Sequence, residues 1–476
     1  MKTVTRRRLL SGAAVTAAAV GVAPSIVMAK PGKRSERVRV GVIGVRGRGR
    51  GHIGGFKASP DAEVTAIIEV DEGVLGPARQ AVPDAVVYRD LREALAADAF
   101  DAVTVATPNH WHSLCTLWAL QAGKHVYVEK PLSHVFVEGR DVVELARASG
   151  LVVQHGTQAR TSPATIQAVE YVRSGALGRV HVARALCYKR RESIGKVEGE
   201  QTPPETLDYD LWTGPAALQP LRRKSLHYDW HWDRNTGNGD LGNQGVHQMD
   251  IARWGLSQDG FPTSVQSVGG RFGYDDDGNT PNTQVASFAY ADDEGREQRL
   301  VFEVRGLPTV AYRGQRIGNV FHCEGGSVVV SDYSRTYAYD RDGRQIESWQ
   351  GSENHYQNFL DAVVAGDPSR VNALPQDGHL SSGLCHLANA SYWLGEEAPG
   401  AGSHTPFGAD PAGNEAWDRT REHLAGAGVA EDVPVRVGPE LPFDAAAERF
   451  TGEHAERANA ELTRPDRPPF VYGRRS

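Results

Sequence analysis

The stretch Val38-Arg39-Val40-Gly41-Val42-Ile43-Gly44-Val45-Arg46-Gly47-Arg48-Gly49 decides the fold of this chain. It begins as a mostly apolar run suited to a buried strand, and glycines follow where a helix would start. Glycines at such a turn let the backbone approach a pyrophosphate, and the helix N-terminus supplies N–H donors. The stretch therefore predicts the opening of a dinucleotide-binding unit, with Gly44, Gly47 and Gly49 against the cofactor.

Three charged residues refine this prediction. Arg46 stands where a G-x-G-x-x-G pattern has its second glycine, so it would either pair with a phosphate or displace the nucleotide slightly. Glu69 ends the second predicted strand, where a carboxylate accepts hydrogen bonds from an adenosine ribose, and Asp71 is the alternate. Because a carboxylate at this place repels a 2′-phosphate, we expect NAD as the cofactor, with NADP as the alternative.

Residues 36–155 alternate short apolar runs with helical patterns, which predicts an NAD(P)-binding Rossmann-type domain of α/β class with a doubly wound parallel sheet. The predicted strands are Val38–Ile43, Glu63–Val70, Asp101–Ala106, His125–Val128 and Val152–His155. The predicted helices include Leu114–Ala122 and Val137–Ser149.

Residues 156–398 have a different pattern, with strand-like runs separated by Gly or Asp turns. The runs are Val180–Lys189, Thr263–Val268, Thr283–Tyr290, Arg299–Arg305, Asn319–Cys323 and Ser327–Asp332. Helical patterns lie at about Thr165–Ser174, His247–Gly255 and His355–Val364. This pattern predicts an α+β domain with a large, mostly antiparallel open sheet. In residues 399–476 Pro, Gly and charge dominate, which predicts an extended C-terminal arm over the surface.

The N-terminus carries an export pattern. Arg6-Arg7-Arg8-Leu9-Leu10 precedes an uncharged Ala/Val/Gly run that ends near Ala29, which predicts a twin-arginine signal peptide over residues 1–29. The expected partner is the Tat export machinery and the expected location is the periplasm or another exported site. Since this route carries folded proteins, a nucleotide loaded in the cytoplasm would have to be held tightly and regenerated on site.

Charge and cysteine content exclude several classes of protein. The formal net charge is −7 at pH 7, and removing the basic leader would make the chain more acidic. An acidic protein is poorly suited to nucleic acid or anionic lipid, so we expect neither nucleic-acid binding nor stable membrane insertion. The four cysteines form no C-x-x-C pair, which excludes a zinc knuckle or a thioredoxin-like motif.

Three later motifs accompany the glycine turn: Ala-Thr-Pro-Asn-His-Trp-His at 106–112, Tyr-Val-Glu-Lys-Pro-Leu at 127–132 and Leu-Gly-Asn-Gln-Gly-Val-His at 241–247. Together they resemble the Gfo/Idh/MocA oxidoreductases, from about residue 38 to about residue 395. Within that family the chain is most similar to exported bacterial members, which also share a motif like the one at Arg464–Phe470. The resemblance implies an NAD(P)-dependent enzyme that acts on a carbohydrate, commonly as a homodimer or homotetramer.

The resemblance also implies residue roles. Cofactor contacts fall on Thr107, Asn109, His110, Glu129, Lys130 and Gln158, and Lys130 lies beside both the nicotinamide and the substrate hydroxyl. The chemistry is consistent with this, because removing hydride from a carbinol carbon requires a base for the hydroxyl proton, and partial burial tunes a lysine for that task.

The family's Asp-x-x-x-His pattern aligns with Asn243 and His247, so the histidine is retained and the aspartate is an asparagine. We expect His247 to act as an acid or base, and Asn243 to bind a hydroxyl without taking its proton. Arg160 and His112 are also expected to contact substrate, whereas Asp250 is expected to be structural, either capping the helix or pairing with Arg253.

Residues His227-Tyr228-Asp229-Trp230-His231-Trp232-Asp233 allow two interpretations. We expect an aromatic wall in which Trp230 and His231 cover a pyranose. The alternative is a metal site formed by His227, Asp229 and His231, with His247 joining them.

The leading functional prediction is an exported oxidoreductase whose cofactor stays bound and is recycled between substrates. One alternative is a glycosidase that works by transient oxidation, elimination and re-reduction. Another is a sugar-binding homologue without turnover, which Arg46 and Asn243 would favour.

Overall fold

The structure is a computed structural model that describes residues 37–398 and 405–473. The predicted signal peptide at 1–29 lies outside the described residues. Among the residues described, no helix is both long and apolar enough to cross a membrane. The four cysteines are buried and carry free thiols.

The N-terminal part is built on a six-stranded parallel sheet, which confirms the predicted fold class. The strand order is β3-β2-β1-β4-β5-β6. The strands are β1 (Val38–Ile43), β2 (Ala62–Ile68), β3 (Val86–Tyr88), β4 (Ala102–Val105), β5 (His125–Val128) and β6 (Val153–His155). The helices are α1 (Arg48–Lys57), α2 (Gly76–Ala81), α3 (Leu91–Ala96), α4 (His112–Gln121) and α5 (Phe136–Ser149). The sequence pattern does not predict β3, because this edge strand has only three residues.

The second part is built on a larger sheet with the order β14-β13-β12-β11-β7-β10-β9-β8-β16-β15. Every pair is antiparallel except β7 with β10, so the predicted mostly antiparallel sheet is confirmed. The first strands are β7 (Val180–Cys187), β8 (Ser264–Gly270), β9 (Thr283–Ala291), β10 (Glu297–Arg305), β11 (Ile317–Cys323) and β12 (Gly326–Asp332). The remaining strands are β13 (Arg335–Asp340), β14 (Gln345–Gln350), β15 (Glu396–Ala398), β16 (Val435–Val437), β17 (Leu441–Asp444) and β18 (Arg449–Phe450).

Helices connect this sheet to the first domain. They are α6 (Pro163–Arg173), α7 (Tyr209–Thr213), α8 (Val246–Gly255), α9 (His355–Ala365) and α10 (Pro375–Leu394). Helices α8 and α10 bury Met249 and Leu384 in one apolar core with Phe302 and Phe321 of the sheet. Helix α9 instead packs Phe359 into a core with β1 and β2, so the chain returns to the N-terminal domain.

The C-terminal segment requires a correction to the predicted extended arm. Its described part contains α11 (Pro411–Gly426) and α12 (Ala455–Ala460), and β16 and β17 both pair with β8 of the large sheet. Helix α11 packs Trp417 against Val285 and Val301 on the sheet face opposite α8 and α10. Residues 405–450 are therefore an integral layer of the second domain.

Candidate active site

A cleft of about 610 Å³ lies at the carboxyl ends of the parallel strands, between the two domains. Ligands bind at this edge of a doubly wound sheet because the loops there are free to vary while the strands hold them in place. The predicted site residues that line the cleft are Gly44, Arg46, Gly47, Glu69, Thr107, Asn109, His112, Glu129, Lys130, Gln158, Trp230, His231, Asn243 and His247.

The glycine turn has the geometry that a dinucleotide requires. Gly44 has a φ of +79°, and a Cβ there would lie 2.9 Å from the carbonyl oxygen of Ala106. A Cβ on Gly47 would meet nothing within 4 Å, so this glycine leaves open space. Gly49 does not line the cleft; a Cβ on it would lie 1.7 Å from the Gly44 carbonyl oxygen. Gly49 thus lets helix α1 pack closely on the turn.

Glu69 lies at the end of β2 and ties the turn to the next loop. Its carboxylate accepts hydrogen bonds from the backbone N–H of Val45 at 2.8 Å and of Asp71 at 3.1 Å. Burial raises its pKa, although both backbone donors act in the opposite direction. The carboxylate is therefore positioned in the cleft wall, as a ribose-binding residue must be.

Asp71 does not line the cleft, which corrects its assignment as the alternate ribose ligand. Its Oδ1 accepts hydrogen bonds from Thr206 Oγ1 at 2.7 Å and from the Gly73 N–H, and its Oδ2 lies 2.7 Å from His227 Nε2. Burial opposes its ionisation, but the His227 and Thr206 hydrogen bonds lower its pKa overall. Asp71 therefore joins the two domains.

Glu129 is the centre of a buried charge network that the motifs did not fully predict. Its Oε1 accepts hydrogen bonds from Arg48 Nε at 2.7 Å and Gln158 Nε2 at 3.2 Å, and lies 3.0 Å from His52 Nε2. Burial works against the charged form, yet His52 and Arg48 hold the pKa of Glu129 well below its ordinary value. Arg48 also lines the cleft, and its place in the glycine turn is the signal that could have identified it.

Lys130 follows Glu129 in the cleft wall, and the Lys130–Pro131 peptide bond is cis. Its Nζ donates a hydrogen bond to the backbone carbonyl oxygen of Asn243, which brings the motif at 127–132 into contact with the motif at 241–247. Burial lowers the pKa of Lys130 to about 8, with Glu129 raising it and Arg48 lowering it further. A substantial fraction of Lys130 is therefore neutral near physiological pH, as a general base requires.

Asn243 lies in one turn of π-helix, Leu241–Gly245, that runs directly into α8. Such turns often occur at functional sites. His247, in the first turn of α8, lines the cleft with Tyr333, and the two ring centroids are 5.6 Å apart. Burial, reinforced by Lys130, lowers the pKa of His247 to about 3, so the ring is a neutral imidazole.

The aromatic wall forms at residues 228–232. The rings of Trp230 and His231 stack with centroids 3.6 Å apart and planes 20° apart, and both line the cleft. His227 is directed to Asp71 instead, and within residues 37–398 and 405–473 no group of His, Cys, Asp or Glu has the arrangement of a metal site. The described residues thus contain no ligand cluster for the alternative metal site at His227, Asp229 and His231.

Arg160 does not contact the cleft, which corrects its assignment as a substrate ligand. Its guanidinium is bound by Asp250, with Nε 2.8 Å and Nη2 2.9 Å from the two carboxylate oxygens. The principal partner of Asp250 is therefore Arg160, whereas Arg253 lies 3.7 Å away. Both side chains therefore have a structural role in the packing of α8. This role was expected for Asp250 but not for Arg160.

The histidines of the 106–112 motif are positioning residues. His110 is buried behind the cleft, with its ring nitrogens 3.2 Å from the Thr236 and 3.0 Å from the Trp212 carbonyl oxygens, so it is not a cofactor ligand. The ring of His112 lies between the carbonyl oxygens of Thr107 at 2.9 Å and Pro131 at 2.6 Å. His112 therefore joins two motif loops, and its nitrogens are not free for substrate.

The residues present fit a dinucleotide. The turn is open at Gly47, Glu69 is fixed in the wall, and Thr107 has a buried Oγ1 without a hydrogen-bond partner among the described residues. Arg46 adds positive charge beside the turn, where a pyrophosphate would lie, whereas Arg48 is already paired with Glu129. Lys130 and His247 stand in the same cleft, so a substrate hydroxyl and a nicotinamide could be held together.

Known proteins resemble this chain in sequence and fold. It is 32% identical to an inositol 2-dehydrogenase of Corynebacterium glutamicum over 34% of this chain and 48% of that protein. It is 29% identical to a glycosyl hydrolase family 109 protein of Shewanella over 40% of this chain and 48% of that protein. The chain thus spans about half the length of these curated relatives.

A levoglucosan dehydrogenase, solved with NADH and levoglucosan, has the same fold, with a TM-score of 0.58 and 18% identity over 74% of this chain and 96% of that one. Two family models match the sequence. The model of the oxidoreductase family's NAD-binding Rossmann fold covers residues 38–157, and that of its C-terminal alpha/beta domain covers residues 166–293. These matches cover more than half of the sequence, and the chain belongs to the Gfo/Idh/MocA oxidoreductase family.

Proposed function

We propose that this protein is an NAD-dependent oxidoreductase that removes hydride from a carbon bearing a hydroxyl group in a sugar or polyol. The observation that carries the proposal is the presence of Lys130 and His247 in the same cleft as the glycine turn. The stacked Trp230–His231 pair supports a carbohydrate substrate, since aromatic faces cover the C–H patches of a pyranose. The inositol and levoglucosan dehydrogenases named above support the same substrate class.

The two catalytic side chains have different roles in this proposal. A bound nicotinamide supplies the hydride acceptor. Lys130 takes the hydroxyl proton, because its pKa of about 8 makes it a base near working pH. His247, with a pKa near 3, stays neutral and positions the hydroxyl by hydrogen bonding. Asn243 donates a side-chain hydrogen bond to Asp240 at 3.4 Å, and its carbonyl holds Lys130 in place.

The rate of substrate oxidation is expected to rise with pH through about 8 and to level off above it. The sign follows because Lys130 accepts a proton only in its neutral form, and burial shifts its pKa downward from 10.5. His247 contributes no limb in this range because it is already neutral. Values of kcat/KM, obtained from initial rates between pH 6 and pH 10, check this. A profile that is flat, or that rises only near the ordinary lysine pKa of 10.5, would contradict it.

We further propose that the protein is exported through the Tat pathway with its cofactor resident, and that a second carbonyl compound reoxidises that cofactor. The Arg6-Arg7-Arg8 leader supports export, and Arg46, which lines the cleft beside the glycine turn, supports tight retention of a dinucleotide. NAD is favoured over NADP because the Glu69 carboxylate lies in the cleft wall.

The decisive experiment is to purify the exported protein without added nucleotide, denature it, and identify what is released. About one NAD(H) per chain is expected. NADP(H) would correct the choice of cofactor but keep the enzyme class. No nucleotide, together with no binding on titration, would contradict the proposal and leave a sugar-binding homologue as the better account.

A second candidate function is net glycoside hydrolysis without net redox change, which the resemblance to a glycosyl hydrolase family 109 protein favours. Transient oxidation of a sugar hydroxyl to a ketone, with the hydride held on the bound nucleotide, would acidify the neighbouring C–H bond. Loss of that proton would expel the aglycone, water would add to the resulting double bond, and the held hydride would then reduce the ketone. Product analysis separates the two functions. A free reducing sugar released from a glycoside without accumulation of NADH indicates hydrolysis, whereas an oxidised sugar with reduced cofactor indicates a dehydrogenase.

A further inference from the structure

Part of the second domain covers the cofactor side of the cleft. Residues 204–216, here called the cover, form hydrogen bonds with the loop after β2. The Asp208 N–H donates to the Val70 carbonyl oxygen at 3.2 Å, and the Glu72 N–H donates to the Thr206 carbonyl oxygen at 3.0 Å. Leu211 of the cover lines the cleft together with Glu69 and the glycine turn. A dinucleotide bound along Glu69 and the glycine turn would therefore lie against the cover on this side of the cleft.

The cover has little regular structure of its own. Its only helix, α7, has five residues, and such a short helix is unstable without tertiary contacts. Leu207 and Trp212 belong to a small apolar cluster with Leu221 and Leu226 rather than to either main core. Contacts from elsewhere in the chain must therefore contribute to keeping the cover closed.

The C-terminal residues 464–470, here called the strap, supply those contacts. Arg467 donates from Nη1 to the Gly214 carbonyl oxygen at 2.6 Å and forms an ion pair with Asp210, so its guanidinium holds both ends of α7. Arg464 donates from Nη2 to the His110 carbonyl oxygen at 3.0 Å and pairs with Glu138 on α5. The strap thus joins the cover to the N-terminal domain.

Trp111 completes the connection between strap, cover and cleft. Its ring lies edge-on to Phe470 with centroids 5.7 Å apart, and its Nε1 donates to the Trp212 carbonyl oxygen at 2.9 Å. A Cβ on Gly214 would lie 2.1 Å from the Trp111 ring, so glycine is required for this close approach. Trp111 itself lines the cleft, which places the strap one side chain away from it.

We propose that the strap holds the cover closed over the bound dinucleotide and sets the rate at which the nucleotide dissociates, with Arg467 as the principal positioning residue. This inference rests on the proposed function, since it requires a dinucleotide in the cleft. Slow dissociation would let an exported protein keep its nucleotide in a compartment that does not supply a replacement. Arg467 touches neither substrate nor reacting atoms, so it affects retention and not the hydride-transfer step.

The test measures the NADH dissociation rate of the full-length protein. Protein loaded with NADH is mixed with excess non-fluorescent NAD, and the fluorescence of bound NADH is followed as it dissociates. Arg467→Ala removes both contacts to the cover, and we expect the dissociation rate to rise about ten- to one-hundredfold. Arg467→Lys keeps the positive charge opposite Asp210 but loses the planar, two-pronged geometry of the guanidinium. Its NADH dissociation rate should lie between those of the wild type and Arg467→Ala. Arg457→Ala, an exposed arginine on α12, is the matched control and should leave the rate unchanged.

A merely structural role is separated by two further measurements. The single-turnover rate of hydride transfer at saturating NAD should be unchanged in Arg467→Ala, and hydrogen exchange should increase at residues 204–216 while β1 and β4 stay protected. An unchanged dissociation rate in Arg467→Ala and Arg467→Lys would overturn the strap while leaving the proposed function intact. Wild-type protein that binds no NADH would instead overturn the proposed function and this inference with it.

Discussion

Lys130→Met is expected to lower the rate of hydride transfer by about 10²- to 10⁴-fold, the range lost when a general base is removed. Methionine keeps the length and apolar stem of lysine but has no group that can accept the hydroxyl proton. His247 cannot replace it, since burial holds the pKa of that ring near 3 and makes it a weak base. The measurement is the single-turnover reduction of bound nucleotide by a sugar or polyol substrate, and the rise of the rate near pH 8 should be absent.

Lys189→Met is the matched control, because Lys189 is an exposed lysine that lines the same cleft. This variant should retain the limb near pH 8, even if its KM changes. Both variants should bind NADH as the wild type does. A Lys130→Met protein that keeps its full rate and its pH profile would show that another group takes the proton.

Asp250→Ala is expected to destabilise the second domain by about 3 kcal/mol, the lower end of the cost of breaking a buried ion pair, because Arg160 keeps Asp377 at 3.2 Å as a second partner. Arg160 is 8% exposed and loses both hydrogen bonds to the carboxylate, and Ser381 loses an acceptor at 2.6 Å. Arg160 cannot neutralise itself as a buried lysine could, because a guanidinium stays protonated. The measurement is the shift in the midpoint of urea unfolding followed by tryptophan fluorescence.

Asp418→Ala provides the comparison for that experiment. Asp418 pairs with Arg421 at 3.3 Å on α11, but its side chain is 67% exposed, so water replaces the interaction when it is removed. We expect a change below about 1 kcal/mol. If Asp250→Ala were as mild as Asp418→Ala, then the buried pair with Arg160 would not be maintaining the packing of α8.

The C-terminal segment shows where composition misleads. Residues from about 400 onward are rich in Pro, Gly and charge, which favours an irregular arm, yet α11 has sixteen residues. The local signal for this helix is present in the sequence. Asp410 accepts hydrogen bonds from the backbone N–H groups of Ala412 and Gly413, and Pro411 occupies the first helical position. A cap followed by proline was therefore more informative than the overall composition.

The sequence by itself determined the parallel sheet and the turn at Gly44 and Gly47, whereas the pairing of Lys130 with His247 followed from the resemblance to a family. The sheet and the turn depend on local patterns, because a strand's apolar run and the residues after it fix which side chains stand at the carboxyl edge of the sheet. Most strands of the second domain could likewise be predicted from the sequence, because Gly or Asp turn residues separate the strand-like runs.

Only the tertiary structure decided which polar partner each charged group takes. Arg48 binds Glu129 across 81 residues of sequence, and Arg160 binds Asp250 across 90. A buried charge must be neutralised by whatever group the packing brings near it, and no periodic pattern encodes that choice. For the same reason the sequence could mark Arg467 as part of a motif, whereas its contacts with Asp210 and Gly214 depend on the folded chain.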